Sequence, residues 1–451
     1  MFRTFACGSV LCLAAAGPAH AQTFPGAYFP PQAVAADGPP PMVDPRFPVP
    51  GGGVEPAGVY TPEAAEERPG CQTCGDRGAG AIRPETRVWF GLDYLYWNVS
   101  AGPGGPPLAA TTAATSLAAL NADPGLASPV NRNFGYGMAS GGRLNAGYWG
   151  DEWCCVTYGV EGNAFLLERR ANGYSLASGP AGTPAALRPF TDARTGAATF
   201  AVVGLPGTQA GQLSVFNSSQ VWGAEVNLVR RIDEGGGWHW DTIAGVRYLD
   251  LDENLSIVQN TTLIGTGVSG FGGQRIAPPR GLVVTDAFDT RSQFFGGNFG
   301  TRVGKTFNRL SVDGFVKVGI GWAHLSANSS GTTAVTGPGA GPAAGTTLRG
   351  GLLAVPANGG HVEGNDLAIV PEVGLQLGYD VTDWLRLSAG YSALYWSRVA
   401  RPGDQINGRV NPTRVPSSLE FGRPGAGGGR GGLVRDDLWI NGVNFGAAVR
   451  F

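Results

Sequence analysis

The chain ends with the sequence L-W-I-N-G-V-N-F-G-A-A-V-R-F, residues 438–451. Alternate residues starting from Trp439 are mostly apolar, and the residues between them are small or polar. A period of two is typical of a β-strand whose two faces meet different environments. A strand of a soluble sandwich rarely finishes on a bare aromatic residue such as Phe451. We therefore predict a terminal strand with one face toward an apolar environment such as lipid.

Residues 1–21 have the features of a secretory signal peptide. A basic residue, Arg3, precedes a short apolar run, and the small-x-small sequence at 19–21 predicts cleavage before Gln22. The run is shorter than the roughly 20 apolar residues that a membrane-spanning helix needs, and no later segment reaches that length. We therefore expect an exported chain that, if it crosses a membrane, does so as a closed barrel.

The composition favours strands and turns and argues against nucleic-acid binding. The 451 residues include 74 glycines, which disfavour helices, and only 15% are charged. The net charge of -2 offers no positive excess for a nucleic-acid backbone. Twelve prolines lie between Gln22 and Gly70. We predict that residues 22–84 form a proline-rich, disordered periplasmic arm and that residues 85–451 form the barrel domain.

Ten segments after residue 87 are candidate strands. They are 88–97, 142–149, 156–167, 221–230, 240–251, 291–304, 310–323, 367–379, 385–396 and 438–451. Connections after every odd-numbered strand are long, and those after every even-numbered strand are short. This alternation predicts an all-β fold, a single transmembrane up-and-down antiparallel β-barrel with short periplasmic turns and long external loops. Twelve strands are the alternative if residues 253–262 pair within their loop.

Tryptophans fall at or near the ends of these strands, where amphipathic rings would form girdles at the two membrane surfaces. The tryptophans concerned are Trp97, Trp149, Trp153, Trp238, Trp322, Trp384, Trp396 and Trp439.

Several motifs carry a family resemblance. They are Y-W-S-R-V-A-R-P-G-D-Q-I-N at 395–407, W-F-G-L-D-Y-L-Y-W at 89–97, G-A-E-V-N-L at 223–228, G-V-R-Y-L at 245–249 and P-E-V-G at 371–374. Together they resemble the seventh family in the numbered series of β-barrel porin families, known mainly from planctomycetes, over residues 85–451. The resemblance implies an outer-membrane barrel with no established substrate. The terminal strand also resembles the closing strand of bacterial outer-membrane barrels, which makes Phe451 the expected assembly signal.

Charged residues alternate with the apolar series and are predicted to line the lumen. They are Asp93, Arg143, Glu161, Glu225, Asp241, Arg247, Arg302, Asp313, Lys317, Glu372, Arg386 and Arg450. Six are acidic and six are basic, so we expect them to pair inside a narrow barrel rather than select one ion sign. The expected function is a narrow porin with weak selectivity for small solutes or ions. The alternative is a non-conducting structural or surface-interaction barrel of the cell envelope.

Four cysteines remain after signal cleavage: Cys71, Cys74, Cys154 and Cys155. On the predicted topology all four are periplasmic, and the oxidising setting favours disulfides that would tether the arm to the barrel. Their pairing cannot be read from the sequence. Free or intermolecular thiols and a four-cysteine metal site are the other interpretations.

An outer-membrane hydrolase is a third function class. His324 and His361 flank one external loop, and either could form a dyad with Glu363 or Asp366. Three scattered histidines are more typical of a surface, so we expect no enzyme activity, catalytic residue, cofactor or metal. Expected partners are outer-membrane lipid and the barrel-assembly machinery, in a Gram-negative-type bacterium. The sequence does not indicate an oligomeric state.

Overall fold

The computed structural model describes residues 87–102, 104–130, 135–150, 157–425 and 432–451. The predicted signal peptide and the predicted arm lie outside these residues. Within the described ranges, no helix combines the length and apolar character needed to cross a membrane.

Ten antiparallel strands form a closed ring, in which each strand pairs with the next and the last pairs with the first. They are β1 (Val88–Val99), β2 (Met138–Trp149), β3 (Tyr158–Leu167), β4 (Gln209–Gly235), β5 (Trp238–Leu263), β6 (Gly281–Phe307), β7 (Leu310–Thr336), β8 (Gly360–Asp380), β9 (Leu385–Val399) and β10 (Asp436–Arg450). The prediction of an all-β, up-and-down barrel of ten strands is confirmed.

The alternative of twelve wall strands is wrong. It required a separate hairpin at residues 253–262, but these residues are the continuation of β5 and pair with both β4 and β6. The predicted strands were also too short at the end of the barrel where residues 253–262 lie. Strand β4 begins at Gln209 rather than at 221, and β6 begins at Gly281 rather than at 291.

Short turns connect the strands at one end of the ring, which we call the short-turn end. The link between β4 and β5 is only Gly236 and Gly237, with φ of 59° and 79°. Two consecutive positive φ values are typical of the tight hairpin turn that matches strand twist, and glycine adopts them without steric cost. Asn308 and Arg309 make the equally short link between β6 and β7. The opposite end carries the long connections and is called the long-loop end.

The outer face of the ring carries large apolar side chains that no other part of the described chain covers. Examples, all at least 47% exposed, are Phe90, Leu92, Tyr94, Leu144, Val160, Val226, Leu228, Phe295, Phe299, Val316, Ile320 and Leu375. Such an apolar band around a closed barrel is typical of a surface that faces lipid.

Of the tryptophans predicted to form girdles, Trp153 lies outside the described residues, and the other seven divide between the two faces of the strands. Trp238 and Trp384 are exposed at the short-turn end, and Trp322 and Trp439 are exposed nearer the long-loop end, as the girdle prediction requires. The prediction is wrong for Trp97, Trp149 and Trp396, which are buried inside the barrel. Their positions in the alternation are those of the inward-facing residues, so proximity to a strand end did not determine which face they occupy.

Four neighbouring strands, β4 to β7, are 26 or 27 residues long. A tilted strand crosses a bilayer with about 9–11 residues. These strands therefore continue for roughly 15 residues beyond the lipid-facing band at the long-loop end. Arg170–Ala177 pairs with β4 and Thr347–Arg349 with β7, which widens the sheet there.

The long connections contain the remaining elements. One small sheet consists of Ala110–Thr112, Ala127–Pro129, Ala185–Asp192, Ala198–Gly204 and Arg409–Val410. The others are the hairpin Ser269–Phe271 with Gln274–Ile276, the helix Leu117–Ala122 and the 3-10 turns Pro124–Leu126, Pro402–Gln405 and Pro412–Arg414. Leu352, Leu353, Ile406 and Val410 pack against inward-facing residues of the projecting strands. The long-loop end is thus a folded unit, which we call the crown.

The barrel interior as the candidate functional site

The inward face of β5 crosses every layer of the interior. Counted from the short-turn end, each charged residue on this face is followed by two inward positions that are apolar or glycine. All of these residues are buried except Gly245. In order they are Asp241, Ile243, Gly245, Arg247, Leu249, Leu251, Glu253, Leu255 and Ile257. Charged and apolar layers are therefore stacked along the barrel axis.

A central charge cluster lies within the lipid-facing part of the barrel. The Lys317 ammonium is 2.6 Å from Glu225 and 3.2 Å from Glu372, and the Arg247 guanidinium pairs with both carboxylates. The amides of Asn163, Asn227 and Asn298 donate further hydrogen bonds to Glu225, at 2.7–3.1 Å. Two cations thus balance two buried carboxylates, and amides take up the remaining acceptor capacity, as buried charge requires.

The other predicted lumen residues form smaller ion pairs. On the side of the short-turn end, Arg302 contacts Glu161 at 2.8 Å and Asp241 at 3.8 Å. Arg386 contacts Asp313 at 3.1 Å, and Arg450 contacts Asp380 at 3.2 Å. The sequence interpretation missed Asp380 and also His239, which lies 3.0 Å from Asp313. Both follow directly from the alternation if the strands are continued into their turns.

Asp93 and Arg143 pair on neighbouring strands, with 2.7 Å between guanidinium and carboxylate. The register places Asp93 opposite Arg143 directly, so the pair is a cross-strand contact between β1 and β2. Each of the twelve predicted lumen residues therefore makes at least one ion pair with another inward-facing residue. None faces the lipid side.

An interior apolar layer lies next to the central charge cluster, toward the long-loop end. All ten strands contribute to it, and its side chains are almost completely buried. Its aromatic members on the strands are Trp97, Phe165, Phe294 and Trp396. The ring centroids of Trp97 and Phe165 are 5.5 Å apart with the rings tilted by 53°, and those of Trp396 and Phe294 are 6.4 Å apart. Because each strand supplies at least one member, the layer extends across the whole section of the barrel.

Two fully buried ion pairs attach the long connections to the wall above this layer. Arg401 binds Glu253 at 2.7 Å and donates to the Ser100 carbonyl at 3.0 Å. Arg188 binds Asp286 at 2.7 Å, and the other oxygen of Asp286 accepts the backbone N–H groups of Leu353 and Ala354. Burial raises the pKa of Glu253, and Arg401 opposes this increase.

None of these four residues was among the predicted site residues. Glu253 shares the inward parity of Asp241 and Arg247, and Asp286 shares that of Arg302. The alternation could therefore have identified both acids if the strands had been extended to their true ends.

The remaining predicted sites are scattered. Cys71, Cys74, Cys154 and Cys155 lie outside the described residues. Phe451 lies at the seam between β10 and β1, where its carbonyl accepts the Arg87 and Val88 N–H groups and its N–H donates to the Val88 carbonyl. Among the described residues, no group of three His, Cys, Asp or Glu side chains could hold a metal ion.

The histidines considered for a hydrolase have polar partners on the outer side of the crown. His361 contacts Glu363 at 2.6 Å, and its proximity lowers the pKa of that carboxyl. His324 contacts the Asn365 side chain at 2.9 Å, and Asp366 is held by Arg435. The predicted dyad partner Glu363 is therefore beside His361, whereas Asp366 is engaged with an arginine.

Comparison with solved structures gives matches of low sequence identity and low TM-score. The outer membrane protease OmpT from Escherichia coli is 9% identical with a TM-score of 0.34, covering 82% of this chain and 100% of that one. The toluene transporter TodX from P. putida is 10% identical with a TM-score of 0.20, covering 82% of this chain and 92% of that one. Similarities of this size carry no argument about fold or function. A comparison with curated proteins finds no match.

The family comparison covers nearly all of the described chain. The model of the family described as "Putative beta barrel porin-7 (BBP7)" matches residues 89–451. This range begins in β1 and includes all nine remaining strands of the closed ring. The chain therefore belongs to the beta barrel porin-7 family and is an outer-membrane β-barrel protein.

Proposed function

We propose that the protein is a non-conducting outer-membrane barrel that holds a folded crown at the cell surface. The observation that carries this proposal is the interior apolar layer, to which all ten strands contribute. An ion crossing it would lose its hydration in an apolar region, at a cost of several kcal/mol or more. The layer supports a structural or surface-interaction role over the narrow porin expected from the sequence.

The central charge cluster supports the same role. Its carboxylates and cations are paired with each other at 2.6–3.2 Å rather than spread along a water-filled path. A selective channel instead uses rings of like charge or dipoles that remain available to the passing ion. The proposed role of the cluster is to fix the mutual positions of the strands that meet at the barrel centre.

The remaining parts of the proposal concern export and placement. Residues 1–21 would direct export and be cleaved, and residues 22–84 would serve as a periplasmic spacer. The short-turn end would face the periplasm and the crown the outside, as the alternation of long and short connections suggests. We propose no enzymatic role for the chain.

Single-channel recording in a planar bilayer tests the closed lumen. We expect the refolded wild-type protein to give no conductance steps. A variant combining Trp97→Ala, Phe294→Ala and Trp396→Ala removes three of the largest members of the apolar layer and should give small steps, which would establish that insertion is being detected. Heat-modifiable mobility on gels checks that both proteins are folded. Reproducible steps from the wild-type protein would refute the proposal and favour the narrow porin.

A further inference from the structure

The lipid-facing surface contains a groove near the short-turn end, where β6, β7, β8 and β9 run side by side. Its volume is about 530 Å³, and its lining is almost entirely apolar. Lining side chains include Val303, Val316, Leu375 and Tyr391, each about half-exposed, with Gly314 between them. The volume falls within the range of about 300–1,000 Å³ that is usual for small-molecule sites.

The absence of a side chain at Gly314 creates the depression. In the register, Gly314 lies opposite Val303 on one side and Leu375 on the other, so larger apolar side chains flank it on both neighbouring strands. A Cβ atom built at Gly314 would have its nearest neighbours at 3.9–4.0 Å, which is ordinary contact distance. The groove therefore has room for a chain of methylene groups, and it also has room for a larger residue at position 314.

Two basic residues lie just beyond the groove, toward the short-turn end. Lys305 is two positions after Val303 on the same face of β6, a separation of about 7 Å along a strand. Its ammonium lies 4.6 Å from the Trp238 ring and 4.9 Å from the Phe307 ring. Arg309, in the turn that follows, donates to the Val381 carbonyl at 3.4 Å. Among the described side chains, neither cation is within ion-pair distance of a carboxylate.

We propose that this groove binds one glycerophospholipid of the leaflet at the short-turn end. One acyl chain lies over Gly314 between the flanking apolar side chains, and the phosphate contacts Lys305 and Arg309. Hydrocarbon is the apolar material that surrounds this part of the barrel, and a phosphate is the anion that a lipid presents one headgroup above its chains. The inference depends on the membrane location of the barrel and does not depend on whether the lumen conducts.

Native mass spectrometry of the full chain tests the site. The probe is phosphatidylglycerol at one part in ten in phosphatidylcholine nanodiscs, from which the protein is released in mild detergent. We expect the wild-type barrel to retain one phosphatidylglycerol. Gly314→Leu fills the groove and should lower the retained fraction at least five-fold. Ala146→Leu, a matched enlargement on the lipid-facing side of β2, should leave it unchanged.

A second variant separates the headgroup from the chain. Lys305→Glu combined with Arg309→Glu reverses both charges beside the groove without altering its apolar lining, and it should reduce the preference for phosphatidylglycerol over phosphatidylcholine at least five-fold. Heat-modifiable mobility establishes that each variant is folded. Retention of no phospholipid by the wild-type protein, or equal retention by Gly314→Leu, would overturn the proposal.

Discussion

Arg401 and Glu253 form an ion pair in which both side chains are fully buried, between a long connection and the wall. The pair offers limited net stability, because both charges lose their hydration. Its larger effect appears when one partner is removed, because the remaining charge is then buried without an ion-pair partner. The same holds for Arg188 and Asp286, which connect a different loop segment to β6.

Removal of one member should therefore be far more harmful than removal of both. We expect Arg401→Met to lower the free energy of unfolding by about 3–5 kcal/mol, because it leaves a carboxylate buried without a partner. Arg401→Met combined with Glu253→Met should recover most of this loss. Arg170→Met, which breaks an exposed pair with Glu168, should cost less than about 1 kcal/mol. Urea unfolding in lipid vesicles measures all three, and equal losses for the two single variants would contradict the prediction.

Asp404 gives the crown a defined pH dependence. Burial raises the pKa of Asp404 to about 6, and the negative charges of Asp436 and Glu253 add to the increase. A raised pKa in the folded state means that the contribution of this group to stability is present below pH 4 and is lost as the pH rises through 6. Thermal unfolding of the wild-type protein should therefore show a decrease across pH 4–6 that is absent in Asp404→Asn.

Glu363→Gln tests a carboxyl whose effect on stability should change with pH in the opposite direction to that of Asp404. His361 lowers the pKa of Glu363, so the contribution of this carboxyl is present at neutral pH and is lost on acidification. The difference between wild-type and Glu363→Gln should be small, because both side chains are exposed. Identical pH profiles for Asp404→Asn and the wild-type protein would show that Asp404 titrates normally.

At the scale of strands, the sequence predicted the number and order of elements and failed on their length. Within the lipid-facing band, the two faces of a strand meet lipid and a packed interior, so the alternation of residue types is strong. Above the band, the outer face of β5 carries polar residues such as Asp252 and Asn254, and the inner face mixes Glu253 with Leu255. The contrast between the faces disappears there, and the strand could not be followed to Leu263.

The ion pairs of the barrel interior were also only partly predictable from the sequence. The alternation assigned inward positions to the twelve charged residues, but it could not show which charges pair, because pairing depends on register across up to four neighbouring strands. Lys317, for example, reaches Glu225 on a strand that is not its neighbour in the ring. The loop segments that pack inside the crown had no periodic signal at all.

Phe451, which directly follows β10, contributes to closing the ring. Phe451 exchanges backbone hydrogen bonds with Arg87 and Val88. We expect deletion of Phe451 to impair membrane assembly, because it removes these bonds together with an aromatic side chain that is 70% exposed at the short-turn end. Heat-modifiable mobility of the membrane fraction measures the folded yield. Phe451→Tyr should assemble normally, whereas a normal yield for the deletion would refute this role.

The orientation of the whole barrel follows from which end carries the crown. An epitope tag inserted after Gly341, in an exposed part of the connection after β7, should bind antibody on intact cells. A tag inserted after Asn308, in the turn between β6 and β7, should bind antibody only after the outer membrane is permeabilised. The reverse pattern would place the crown in the periplasm and invalidate the proposed surface role.

The pairing of β1 with β10 joins residues that are almost the full length of the domain apart, from Trp89 with Arg450 to Val99 with Ile440. Contacts between such distant residues form slowly, because the loop-closure entropy must be overcome before they contribute energy. The seam can form only after β10 has been synthesised and can reach β1. Until then both edge strands have unpaired backbone groups, which are templates for aggregation. A chain interrupted anywhere before β10 would therefore be left as an open sheet with two unpaired edges, the form most prone to aggregate.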